Sequence, residues 1–277
     1  MNTVSNTAWY CCGIRMQDAA SNNSVCNDLY AIRFMDENGL KIFEPFKYET
    51  MPNISNITRC RIIDDLIRSE IQKNRKLDVI TIGAGFDTRP YRLTGGNWAE
   101  LDEPQIIDYK NRKLPEGECK NLLKRVSIDF SSESLKEKLQ TLVITGPPVI
   151  VIEGVLMYLS PDDIQATIRT IQELYPEHIL FCDLMNRNFF NKFAYRIHEK
   201  LVAVGGQFTE RPVNPDEIFI RNNYRMIENI PMFKRAADLG VLWKQLRMPG
   251  PLFTLIVNLF VKDLYGYSVA SFHYSRP

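Results

Sequence analysis

Three carboxylates stand at the ends of short apolar runs, and a further run stops at a pair of glycines. Val79-Ile80-Thr81-Ile82 ends at Gly83-Ala84-Gly85, Trp98–Leu101 ends at Asp102, Lys124–Ile128 ends at Asp129, and Pro148–Ile152 ends at Glu153. Runs this short and rich in β-branched residues have the composition of strands buried on both faces of a parallel sheet. Glycines after the first strand allow a sharp turn and let a ligand touch the main chain. An acid at the tip of the next strand is the arrangement with which a Rossmann-like sheet holds a ribose. On this reading Asp102 accepts two hydrogen bonds from a ribose diol, and Asp129 accepts from an adenine amino group with Phe130 against the ring. Glu153 faces an ammonium or a sulfonium.

The turn itself selects among nucleotides. It reads Gly-Ala-Gly-Phe-Asp-Thr, without the third glycine that lets a helix pack behind a pyrophosphate and without the Lys-Ser/Thr of a phosphate loop. A ligand with a ribose and no phosphate fits, and S-adenosylmethionine is such a ligand. The rival is a nicotinamide-dependent oxidoreductase, and the missing glycine and the additional acids Asp129 and Glu153 weigh against it.

The elements that must position these groups follow from periodicity. Strands are expected at Asp78–Gly83, Trp98–Asp102, Lys124–Ile128, Pro148–Glu153 and His178–Asp183, with helices at Gln105–Leu114, Ser134–Leu142 and Asp162–Leu174 between them. Ser160-Pro161-Asp162-Asp163 is a capped helix start. Ahead of this alternation, helices are expected at Thr7–Ala20, Cys26–Asn38 and Ile54–Asn74, with Lys41–Asn53 irregular. In the last of these helices Ile57, Cys60, Ile63, Ile67 and Ile71 share a face, and Arg59, Arg61, Asp64, Asp65 and Arg68 lie off that stripe, most of them read as solvated charge. Beyond the fifth strand, Phe189–Val204 reads as an amphipathic helix closed by Gly205-Gly206, and Asn214–Arg221 starts another. Pro251–Asp263 is helical or extended. Tyr224–Ile230 and Tyr265–Tyr274 close the sheet as an antiparallel pair. The expectation is an α/β fold: a mostly parallel seven-stranded Rossmann-like sheet in one domain. Residues 1–76 form a helical N-terminal part, 77–183 a nucleoside-binding core, 184–250 an insertion and 251–277 a C-terminal strand region.

Composition bounds the function classes. A 277-residue chain with a formal net charge of +1 gives no global case for nucleic acid. Its 45% hydrophobic and 24% charged residues suit a globular protein. Six cysteines and three histidines show no metal-ligand spacing, so no metal is expected. The cysteines are read as small buried apolar residues. With no basic start leading into an apolar core, the expected compartment is the cytoplasm. Pro251–Val261 is too short to span a bilayer, and no membrane partner is expected.

The same residues resemble the leucine carboxyl methyltransferase family, whose bacterial members include polyketide-type O-methyltransferases. The likeness rests on Val79–Leu93, Arg59–Asp65, Glu100–Pro104, Ser127–Phe130 and Glu153–Leu159, with Thr7-Ala8, Arg15 and Asp28–Ala31 in the family's order. It runs to about Leu174. Leu29 departs from it, standing where the family usually has proline. The resemblance implies a class I S-adenosylmethionine-dependent methyltransferase. It also implies that Arg61, Gly83, Ala84, Gly85, Asp102, Asp129, Phe130 and Glu153 line the cofactor site, with Arg61 meeting the cofactor's carboxylate.

Such an enzyme aligns donor and acceptor and excludes water. The expected acceptor is a carboxylate or hydroxyl of a small molecule; a protein C-terminal carboxylate is the alternative, and a non-catalytic binding protein is the alternative of another class. No Asn/Asp-Pro-Pro-Tyr motif follows the fourth strand, which favours oxygen over planar nitrogen. Tyr158, Phe190, Tyr195 and Arg196 are placed at the acceptor pocket by position, with Arg196 pairing an acceptor carboxylate. His198 is the one weak candidate for a base, so no general base is assigned. The chain is expected as a monomer or homodimer.

Overall fold

A computed structural model describes residues 6–209 and 211–276, leaving out the side chains of 244–246. The start of the chain, on which the reading of the N-terminus rests in part, lies outside the described residues. Seven strands form one sheet: β1 Asp78–Ile82, β2 Asn97–Asp102, β3 Leu122–Ser127, β4 Val149–Ile152, β5 Glu177–Met185, β6 Arg225–Pro231 and β7 Tyr267–Ser275. Their order is β3-β2-β1-β4-β5-β7-β6. The first five are parallel, and β7 runs antiparallel to both β5 and β6. Strand order reverses between β1 and β4, which is where an open α/β sheet leaves a crevice above the strand ends.

The helices are α1 Asn6–Ala19, α2 Glu37–Phe43, α3 Thr50–Lys73, α4 Arg89–Arg92, α5 Pro104–Lys113, α6 Leu135–Gln140, α7 Pro161–Leu174, α8 Arg187–Phe189, α9 Tyr195–Ala203, α10 Glu217–Arg221, α11 Met232–Asp238, α12 Val241–Leu246 and α13 Gly250–Phe260. Alternate strand residues face two cores. Val79, Val149, Val151, Phe181 and Val269 pack with α1, α3, α11 and α13; Ile80, Ile82, Ile150, Ile152, Leu180 and Phe272 pack with α6, α7 and α10.

Several expected boundaries move. Cys26–Asn38 is not a helix. A 3₁₀ turn at Ala31–Phe34 is followed by α2, which Asp36 caps by accepting from the Gly39 N–H at 3.1 Å. Gly39 therefore lies inside a helix, where a Cβ would stand 2.4 Å from Trp9. Lys41–Asn53, expected irregular, holds the end of α2, a 3₁₀ turn at Glu44–Phe46 and the start of α3. Pro52 sits in the first turn of α3, where a missing N–H costs nothing. The expected Phe189–Val204 helix is interrupted by a π-helical turn at Phe190–Ala194. Pro251–Asp263 resolves as the helix α13 and a 3₁₀ turn, Lys262–Gly266.

Candidate active site

One cavity of about 1040 Å³ opens above the parallel strand ends. It runs from the glycine turn after β1, past β2 and β4, to an apolar chamber walled by α1, α3, α9 and α11. Gly83 and Gly85 both take left-handed backbone, φ +72° and +47°. That conformation is costly for any residue with a Cβ. At Gly83 a Cβ would also stand 2.3 Å from Val155, on the loop after β4, so the two strand tips close on each other only because nothing is there.

Asp102 ends β2 facing this turn. Its Oδ2 accepts from the Gly85 N–H at 2.5 Å and its Oδ1 from the Glu103 N–H at 2.7 Å. Burial raises its pKa against those two amides. Each oxygen keeps a further lone pair. α1 covers the turn: Ala8 lies over Gly85, and Arg15 donates to the Phe86 carbonyl at 2.7 Å.

Beneath the cavity runs a buried chain of ion pairs. Arg15 meets Asp28 at 2.9 Å, Arg92 meets Asp28 at 3.6 Å and Asp64 at 2.5 Å, and Arg89 meets Asp64 at 2.7 Å, Asp87 at 2.9 Å and Glu153 at 2.7 Å. Arg59 then joins Glu153 at 2.9 Å to Asp183 at 3.1 Å. Arg68 joins the chain from outside, 3.7 Å from Asp64 and 3.0 Å from Asp65. Burial alone would raise the pKa of Glu153, but Arg89 and Arg59 hold it below the usual range. The same competition, with Arg89 dominant among the charges, keeps Asp87 ionised.

The far end of the cavity is apolar. Met51, Met157, Met185, Phe189, Phe193, Ile197, Leu201, Phe208, Phe233 and Leu264 line it, with the hydroxyls of Tyr10, Tyr158 and Tyr267. Burial pushes all three tyrosines above their ordinary pKa and raises the Cys11 thiol as well. Behind this wall lies Arg211, 6% exposed, with its guanidinium 5.0 Å from the Phe208 ring centre. It donates to the Met157 carbonyl at 2.6 Å. Among the described residues Arg211 has no carboxylate partner and its Nε has no acceptor; burial lowers its pKa to about 10.

The structure brings Gly83, Ala84, Gly85, Asp102, Phe130, Glu153 and Tyr158 to the cavity. It does not bring Arg61. Two residues apart on a helix, Arg59 and Arg61 point about 200° apart. Arg61 turns outward to Asp65 at 2.9 Å and the Val25 carbonyl, and Arg59, read as solvated, takes the buried position. Asp64 is likewise fully buried rather than solvated. Asp129 stands beside the cavity without lining it, its oxygens taken by Ser131 and Ser132.

Tyr195 and Arg196 are exposed, and Phe190 packs against His198 and Phe208 outside the lining. The π-helical turn shifts the helical phase, so the cavity face carries Phe189, Phe193, Ala194, Ile197 and Leu201 instead. His198 also lies outside the lining. Its Nε2 accepts from the Phe208 N–H at 3.1 Å, and burial lowers its pKa. The signal for Arg59 was present in the sequence: Ser55, Ile62 and Ile63 are its neighbours one turn away, whereas Arg61 has Asp65 four residues on. Asp183 ends the fifth expected strand and Arg89 lies within Val79–Leu93, but neither is among the expected site residues, and nothing local marked Arg211.

A family model described as leucine carboxyl methyltransferase matches residues 11–172. Among solved structures, a DUF574 family protein from Streptomyces avermitilis superposes with a TM-score of 0.58 at 12% identity, covering 96% of this chain and 97% of that one. The magnesium protoporphyrin IX methyltransferase from Synechocystis, solved with bound SAH, superposes with a TM-score of 0.50 at 11% identity, covering 90% and 100%. At such identities the likeness establishes the fold: a Rossmann-like class I methyltransferase sheet. No curated protein sequence matches the chain.

Proposed function

The chain belongs to the leucine carboxyl methyltransferase family, and from that premise we propose that it is an S-adenosylmethionine-dependent O-methyltransferase whose acceptor is a carboxylate on an apolar small molecule. The observation that carries this reading is the continuity of the cavity, which joins the Gly83–Gly85 and Asp102 end to the aromatic chamber in one void. Its volume is at the upper end of the range for a single small ligand, enough for a nucleoside and an acceptor together.

The residues present fit the cofactor. Asp102 keeps lone pairs for a ribose diol, and the bare backbone at Gly83 and Gly85 admits the nucleoside closely. Phe130 and Ile106 offer apolar surface to the base. Arg15, Arg59 and Arg89 are the guanidinia in the lining that its carboxylate can meet, in place of Arg61. Bound there, the cofactor supplies an electrophilic methyl group.

The protein's own part is alignment and exclusion of water, which can supply on the order of 7–11 kcal/mol. Among the described residues the apolar chamber offers no base: Tyr10, Tyr158, Tyr267 and Cys11 hold their protons at neutral pH, and His198 is spent on a backbone amide. A phenol, with a pKa near 10, would need one; a carboxylate, near 4, would not. That absence supports the carboxylate over the hydroxyl. Arg211, behind Phe208 and without a carboxylate partner among the described residues, favours an anionic acceptor on that side. All six cysteines are free thiols, consistent with the cytoplasmic compartment we propose.

Calorimetric titration with S-adenosylmethionine and S-adenosylhomocysteine, wild type beside Asp102→Ala, tests the cofactor. A methyl-transfer screen of apolar carboxylic acids tests the acceptor. For a carboxylate kcat/KM stays level from about pH 6 to 9, whereas a phenol without a base gives a roughly tenfold rise per pH unit. Folded wild type that binds neither nucleoside overturns the whole reading.

A further inference from the structure

α13, Gly250–Phe260, is apolar apart from Thr254 and Asn258. Phe253 and Val257 are buried, yet Leu252, Leu255, Leu259 and Phe260 are 47%, 55%, 62% and 79% exposed. A surface helix ordinarily turns its polar residues to water, whereas here four large apolar side chains face it. Leu252, Leu255 and Leu259 fall on one face at helical spacing. α12, which packs on α13, adds Trp243, also half exposed.

Cations outnumber acids around the helix. Residues 231–263 hold five Lys and Arg, of which Arg235 pairs with Asp65, against two acids, Asp238 and Asp263, the second paired with Lys192. Arg247 precedes the helix, Lys262 follows it, and both are exposed, as is Lys234. None of the three has a carboxylate partner among the described residues.

We propose that α13 docks the protein on the surface of an anionic bilayer, lying in the plane of the interface with its leucines in the acyl boundary and Arg247 and Lys262 against the headgroups. An 11-residue helix, about 16 Å long, cannot cross a hydrocarbon core of about 30 Å. No helix among the described residues is long and apolar enough to do so. Docking does not require a span: an apolar face bordered by cations, with Trp at the edge, is the composition of an interfacial helix. This departs from the sequence-based expectation of no membrane partner, which considered spanning alone.

A second copy of the chain fits the patch less well. Five side chains, from about half to four-fifths exposed, present on the order of 500 Å², against roughly 800 Å² per partner in a standard interface. A two-fold contact would also bring the cations at the two ends of the helix, Arg247 and Lys262, towards like charge on the other copy. The position of the helix gives docking a use. The turn after it contributes Leu264 to the apolar chamber, and Asp263 in that turn pairs with Lys192 of the cavity wall. A docked α13 brings the chamber to the place where an apolar acceptor partitions. That use rests on the function proposed above; the docking does not.

Co-sedimentation of the full chain with vesicles tests it, using phosphatidylcholine alone and phosphatidylcholine with about a third phosphatidylglycerol. Wild type should pellet with the anionic vesicles at least tenfold more than with the neutral ones, and less at high salt. Leu255→Asp with Leu259→Asp should cut the partition coefficient tenfold or more, with nucleoside binding unchanged. Should the aspartates unfold the chain, Arg247→Gln with Lys262→Gln, both at exposed positions, carries the same test. Wild type that stays in the supernatant overturns the proposal. So does a concentration-dependent dimer that the leucine variants dissociate while neither vesicle captures protein, which assigns the face to a second copy. Vesicle binding is read without cofactor, so its failure is distinct from failure of the methyltransferase reading.

Discussion

Arg59 Nε and Glu153 Oε1 lie 2.9 Å apart across 94 residues of chain. The contact ties α3, which precedes the sheet, to the tip of β4. The same guanidinium reaches Asp183 and the Tyr267 hydroxyl, so one side chain spans the junction between the nucleoside end of the cavity and the apolar chamber.

Removing it leaves two buried carboxylates without their partner. Arg59→Leu should lower unfolding free energy by about 3–5 kcal/mol. Arg61→Ala, which breaks a half-exposed pair with Asp65, should cost no more than about 0.5 kcal/mol. Urea unfolding of the two variants measures the difference; equal effects would contradict the placement of the two arginines.

The glycines of the turn should differ. Gly85→Ala meets only Ala8, at 3.6 Å, and bears mainly the left-handed backbone cost of about 1–2 kcal/mol. Gly83→Ala bears that cost and a 2.3 Å contact with Val155. Adding Val155→Ala should recover part of the loss at Gly83 and none at Gly85, as a double-mutant cycle on thermal stability would read.

Asp102→Ala should weaken S-adenosylmethionine binding by about 10–100-fold, the worth of hydrogen bonds to a charged group. Since burial raises the Asp102 pKa, affinity in the wild type should begin to fall on acidification above the ~3.9 of a free aspartate. Calorimetry across pH 4 to 7 follows it, and a pH-independent affinity would remove Asp102 from the ribose.

His198→Ala should leave kcat within about twofold, since a general base contributes 10²–10⁴-fold and this imidazole is not in the lining. Stability should fall by about 1 kcal/mol through loss of the acceptor for the Phe208 N–H. A thousandfold loss of kcat with binding intact would restore it as a base.

Acid should unfold the protein through the ion-pair chain. Glu153 and Asp87 have folded pKa values below their unfolded ones. Their contribution is therefore complete above the unfolded values, near 4.3 and 3.9, and is lost progressively as pH falls below them. Unfolding free energy against pH should drop below about pH 4, and the Glu153→Gln variant should show a smaller drop.

Local rules made most of the frame legible. β-branched runs ending in glycine or acid gave β1 to β5 within a few residues, because a strand buried on both faces leaves a continuous apolar signal. Ser160 announced α7, whose capping box is present. Asp102 could be placed because it is the residue at which β2 ends, and a strand tip in a parallel sheet has one edge to face. Where side chains point was a different matter. The choice between Arg59 and Arg61 depends on which side of α3 meets β4 and β5, and the inward face of the segment after β5 depends on a π-helical turn that leaves no mark in the pattern.

The sequence by itself determined the strand ends, the glycine turn and the acid opposite it, since these follow from propensity and position along single elements. The tertiary structure alone decided the buried ion-pair chain, the aromatic chamber and the outward face of α13. Each of those joins residues from elements far apart in the chain, and burial, which sets both the charge pairing and the pKa shifts, is a property of the packed molecule rather than of any one segment.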